Sequence, residues 1–137
     1  MSLMIYVKTY FLCLPVFFGL DILWLGLAAK SFYQDNLGFI LSPKVNWAAA
    51  VIFYLLYIVG ILIFAVAPGL EAGSRSRAAV LGALFGFFTY ATYDLTNLAT
   101  IRNWPFKVVV VDILWGSVVC SVVAWTAFSL ARWFQKG

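Results

Sequence analysis

Four apolar stretches, each as long as the roughly 20-residue helix that crosses about 30 Å of hydrocarbon, occupy residues 3–29, 46–67, 76–99 and 107–133. Nothing else in the chain constrains its fold as strongly. A backbone in hydrocarbon must satisfy its own polar groups, so runs of this length become helices. Pro68-Gly69 and the segment from Glu71 to Arg77 are expected to break the second span from the third. Asn103-Trp104-Pro105 is expected to break the third from the fourth, because proline disfavours helix in the residue before it. Composition agrees. Hydrophobic residues make up 65% and charged residues 10%, against roughly 25% charged in soluble domains. The 19% aromatic content excludes a disordered chain. The expected fold is an all-α integral membrane protein. Residues 1–137 form a single domain of four transmembrane helices in a compact bundle.

The segment between spans one and two reads KSFYQDNLGFILSPKV. It is too short to cross a bilayer, and its aromatic and aliphatic residues suit a short helix lying in the interface. The first span carries Asp21 and Trp24 and is longer than the apolar core of a secretory signal. It is therefore read as a retained helix, despite the small residues at Gly26 and Ala28. An even number of spans puts both termini on one side. Lys8, Arg75, Arg77, Arg132 and Lys136 lie there, against Lys30, Lys44, Arg102 and Lys107 on the other. The five-to-four excess favours cytoplasmic termini.

Several functions are excluded early. The nine Lys and Arg residues are scattered, so no basic stripe follows a phosphate backbone and no nucleic acid is expected. There is no histidine, which removes the usual haem, zinc and serine-hydrolase chemistries. Cys13 and Cys120 each sit in an apolar run and read as small buried residues. No metal or cofactor is expected.

Of five acids, Asp21, Asp94 and Asp112 lie inside spans, where a carboxyl is costly and by default marks function. Counted at 1.5 Å per residue, they sit about 13, 8 and 8 Å from the face carrying the first and third connections. Tyr90, Tyr93, Asp94 and Asn97 follow i, i+3, i+4, i+7 and share one helix face. Gly82 and Gly86 extend that line as a G-x-x-x-G, expected at a helix contact within the chain or in a homodimer. Tyr54 and Tyr57 approach from span two. Asp21-Ile22-Leu23-Trp24 recurs as Asp112-Ile113-Leu114-Trp115 on a helix running the other way. No Lys or Arg in the spans stands beside these acids, so they must share protons or await a cation or ligand.

These residues predict a ligand pocket of Asp21, Trp24, Tyr54, Tyr57, Tyr90, Tyr93, Asp94, Asn97, Asp112 and Trp115. Aromatic faces beside a carboxylate suit a small cationic or amphipathic ligand, or a lipid headgroup. Expected partners are therefore membrane lipids, such a ligand, and a second copy of the chain. Two other readings stay open. The polar cluster could only hold helices together, in a structural or accessory subunit. Alternatively, Asp94 and Asp112 could form an intramembrane aspartyl dyad sharing one proton.

One resemblance runs nearly end to end. It is carried by Phe17-Phe18-Gly19-Leu20-Asp21 with Trp24-Leu25-Gly26 and Phe32-Tyr33. The stretch GALFGFFTYATYDLTNLA from Gly82, then Trp104-Pro105, Val109-Val110-Val111-Asp112 and Trp115-Gly116, carries the rest. Together these resemble the bacterial membrane protein family called domain of unknown function 2177, most specifically over Tyr90 to Asn97. The resemblance implies a small bacterial inner-membrane protein. It carries no activity and no catalytic residue with it.

Overall fold

The computed structural model describes residues 1–137. It contains helices and no strands, and four of the helices are long and apolar enough to cross a membrane. They are α1 (Leu3–Ala28), α3 (Trp47–Glu71), α4 (Arg75–Thr100) and α5 (Phe106–Lys136). The short helix α2 (Lys30–Leu37) lies between the first two. Lys8 Nζ sits 5.7 Å from the centre of the Phe134 ring, and this brings the chain's two ends to one end of the bundle.

The α4–α5 pair is the most extensive contact in the molecule, and small residues make it so. A methyl group on Gly82 would meet the Cys120 carbonyl oxygen at 2.6 Å, and one on Gly86 would meet the Gly116 carbonyl oxygen at 2.1 Å. Without those methyls the two backbones touch, which replaces the hydrophobic driving force that is missing between helices in lipid. The G-x-x-x-G therefore serves a contact within the chain. Cys13, Phe17, Ile58, Ile61, Val119 and Cys120 pack beside this seam as a dry core. Both cysteines are fully buried and unpaired. Large apolar side chains such as Leu56, Phe64, Phe88 and Leu114 remain exposed on the outside, as lipid-facing helices require.

The second span corrects the expected boundary. Its helix does not stop at residue 67; it continues through Pro68-Gly69 to Glu71. Proline has no N–H to give to a carbonyl four residues back. Here the turn before it, Leu62–Val66, is widened into a π-helix, in which the Ala67 N–H bonds to the Leu62 carbonyl. The shifted ladder takes in the missing donor instead of ending there. Gly69 then passes close to Ala78 of α4, where a methyl on Gly69 would come within 2.6 Å of the alanine Cβ.

The real break is Ala72 to Ser74. Gly73 has φ +62, and the amides of Gly73 and Ser74 bond back to Leu70 and Gly69, a Schellman ending. Ser74 caps the next helix at once by accepting from the Arg77 amide at 3.1 Å. One three-residue link thus finishes α3 and starts α4. The other observed boundaries lie within three residues of the expected ones.

The predicted helix between spans one and two is present as α2, and it folds over one end of the bundle. Leu37 packs with Trp104, Val108 and Val109. It follows Ala29, whose φ −120 and ψ 11 leave the helical region, and a π-helical turn over Trp24–Ala28.

Candidate functional site

Divergence of α3 creates the site. Its lower part, Leu62–Glu71, is packed on α4, whereas Trp47–Ile61 makes only slight contact with that helix. The opening between them is a cleft of about 470 Å³ walled by Asp21 and Leu25 of α1, Phe53, Tyr54 and Tyr57 of α3, Thr89, Tyr90 and Tyr93 of α4, and Asp112 of α5. Its floor is bonded shut. The Thr89 hydroxyl donates to the Phe85 carbonyl at 2.8 Å, so the Tyr57 hydroxyl, 2.6 Å away, is the donor to Thr89. Tyr57 also lies 3.3 Å from Cys120 Sγ. Tyr90 packs over Gly116, where a methyl group would strike its ring at 2.2 Å.

Each acid is held differently. Asp21, almost fully buried, accepts from the Tyr54 hydroxyl at 2.5 Å and from Trp115 Nε1 at 3.2 Å. Asp112 accepts from the Tyr33 hydroxyl at 2.6 Å, and Tyr33 in turn accepts from Trp24 Nε1 at 3.1 Å. Burial first, and then the bond to Asp112, push the Tyr33 phenol above the ordinary tyrosine range, which keeps it a donor at neutral pH. Asp94 is fully enclosed. Both of its carboxyl oxygens are buried without a hydrogen-bond partner.

The repeated tetrapeptide now has a geometry. Trp24 and Trp115 stack with centroids 4.6 Å apart and planes 7° from parallel. Trp115 of the second copy bonds to Asp21 of the first. Trp24 of the first copy reaches Asp112 of the second through Tyr33. The two copies therefore hold one another's carboxylates across the bundle.

Of the residues singled out from sequence, Asp21, Tyr54, Tyr57, Tyr90, Tyr93 and Asp112 share the cleft wall. Trp24 and Trp115 stand behind it as donors. Asp94 lies beneath Asp112, away from the wall, and Asn97 is also off the wall. Tyr93 is 56% exposed and occupies the rim. Sequence reasoning missed Leu25, Phe53 and Thr89 on the wall, and Tyr33 as the partner of Asp112. The only hint of Tyr33 was the mixture of polar and aromatic residues in its segment.

A second cavity, of about 450 Å³, lies under α2. Lys30, Tyr33, Gln34 and Leu37 of α2 face Trp104, Val108 and Asp112 across it.

A family model described as "Predicted membrane protein (DUF2177)" matches residues 6–129. No curated protein and no solved structure matches the chain.

Proposed function

The chain belongs to the predicted membrane protein family DUF2177, and from that premise we propose that it binds or transports a small cationic amphiphile, or the amine headgroup of a lipid. The protein would sit in a bacterial inner membrane with its termini in the cytoplasm. The observation that carries this reading is the cleft itself: two carboxyl groups, Asp21 and Asp112, line it with three tyrosine or phenylalanine rings from α3 and four more side chains from α1 and α4. Ring faces and carboxylates attract the same ligand, and a desolvated cation over such rings gains about 2 kcal/mol. The apolar part of an amphiphile has somewhere to go as well, since Leu25 and Phe53 line the cleft and are themselves 46% and 45% exposed.

An aspartyl hydrolase would use Asp94 and Asp112. Asp94, however, is fully buried and offers no surface to a substrate.

The test is equilibrium binding of tetraphenylphosphonium to protein in nanodiscs, with uncharged tetraphenylmethane as the comparison. Wild type should favour the cation, and Asp21→Asn or Asp112→Asn should each weaken it by about tenfold or more, the factor matching roughly 1.4 kcal/mol. Equal binding by wild type and both variants would end the proposal. Loss of stability in the variants with no cation preference in wild type would favour the structural-subunit reading.

A further inference from the structure

The cleft and the cavity under α2 have three wall residues in common: Leu25, Tyr93 and Asp112. Two spaces of similar volume, one among the spans and one at the bundle end, are thus separated by a partition that these three side chains form. One of the three, Asp112, is fixed from the far side by the 2.6 Å bond from Tyr33. Tyr33 belongs to α2, which joins α1 through the non-helical Ala29 and the π-helical turn Trp24–Ala28. π-Helical turns interrupt the regular ladder and are frequent at functional sites. Asp94 is fully buried, with neither carboxyl oxygen hydrogen-bonded.

We propose that Tyr33 and Asp112 form a gate between the two spaces, with α2 as its moving part. When the Tyr33 hydroxyl leaves Asp112, the side chain of Asp112 turns toward Asp94 and the cleft joins the cavity. A lipophilic cation held in the cleft then passes Asp112 to the end of the bundle. Lys30 on the outer wall disfavours a resting cation there, so the cavity is an exit and not a second binding site. This passage rests on the reading of the cleft as a cation site, whereas the gate itself does not.

The test uses Thr89→Cys, a reporter on the cleft wall that does not border the cavity under α2, in nanodiscs with a membrane-impermeant trimethylammonium methanethiosulfonate. The charged reagent does not cross lipid, so from the cavity it reaches that thiol only when the partition opens. Cys13 and Cys120 are both 0% exposed, and wild type supplies the background. Adding Tyr33→Phe should speed modification by about 3- to 30-fold, the factor that loss of one interhelical hydrogen bond in a membrane corresponds to. Bound tetraphenylphosphonium should slow it. Phe53→Cys, also on the cleft wall and not on the cavity, is the second reporter if Thr89→Cys does not fold. Equal rates with and without Tyr33→Phe, whether both fast or both absent, would overturn the gate. If tetraphenylphosphonium binds wild type yet leaves the reporter unprotected, the passage is wrong while the cleft reading stands. If Tyr33→Phe accelerates modification and the cation does not bind, the cleft reading fails and the gate stands.

Discussion

Adding a single methyl group at Gly86 tests the seam that holds the bundle together. In Gly86→Ala the new Cβ would lie 2.1 Å from the Gly116 carbonyl oxygen and 2.7 Å from its carbon. Both are backbone atoms that no rotamer change can move. Restoring an ordinary contact of about 3.5 Å requires α4 and α5 to part by roughly 1.4 Å. A gap of 0.5–1 Å already forfeits about a quarter to a half of each dispersion contact. If about 20 atom pairs at 0.1–0.2 kcal/mol meet there, the loss is roughly 1–2 kcal/mol. Overpacking strain adds about 1–3 kcal/mol. The expected cost is therefore about 3 kcal/mol. Gly19→Ala is the control, because nothing lies within 4 Å of its new methyl. There the better helix propensity of alanine should stabilise by about 0.5–1 kcal/mol. The assay is unfolding in mixed micelles titrated with sodium dodecyl sulfate, followed by circular dichroism. Gly86→Ala should unfold at a clearly lower detergent fraction than wild type, and Gly19→Ala at an equal or higher one. Coincident curves for the two variants would refute the packing argument.

Two further outcomes are expected. Because the folded state raises the Tyr33 pKa, its contribution is complete below the free tyrosine value of about 10 and is lost as pH rises beyond it. The melting-temperature gap between wild type and Tyr33→Phe should accordingly be constant from pH 7 to 9 and shrink above about pH 10; a gap that widens there would contradict the sign. Single cysteines at Gly38 and Asn103 should label from one side of the membrane, and those at Gly73 and Lys136 from the other. Labels on opposite sides for Gly38 and Asn103 would break the four-span topology.

Much of this was legible in residue order. Span length gave the four helices, and the spacing of Gly82 and Gly86 gave a seam, though not its partner. Counting along a helix gives depth to within a turn, and it placed Asp21, Asp94 and Asp112 near one end. Depth does not give azimuth, however. Asp94 and Tyr93 are neighbours in sequence, yet one is sealed beneath α5 and the other stands 56% exposed at the rim. That difference depends on how far α3 leans away from α4, which no local pattern encodes. Tyr33 was hidden for a similar reason. It lies 79 residues from Asp112, and a short helix between spans can settle in several directions. Pro68-Gly69 misled because a π-helical turn upstream, set by packing in the core, changed the register that proline would otherwise break.

The three-residue link at Ala72–Ser74 also bears on how the protein is made. A ribosome delivering α3 to the membrane has almost no slack before α4 begins, so the two helices must enter as a hairpin. Once one end of α3 is anchored, the direction of α4 is settled. With basic residues split five to four between the two sides, charge alone gives the later helices little guidance. The decision therefore falls to α1, which enters ahead of the hairpin, and a charge reversal at Lys8 should reorient the hairpin behind it more effectively than the same change at Arg75 or Arg77.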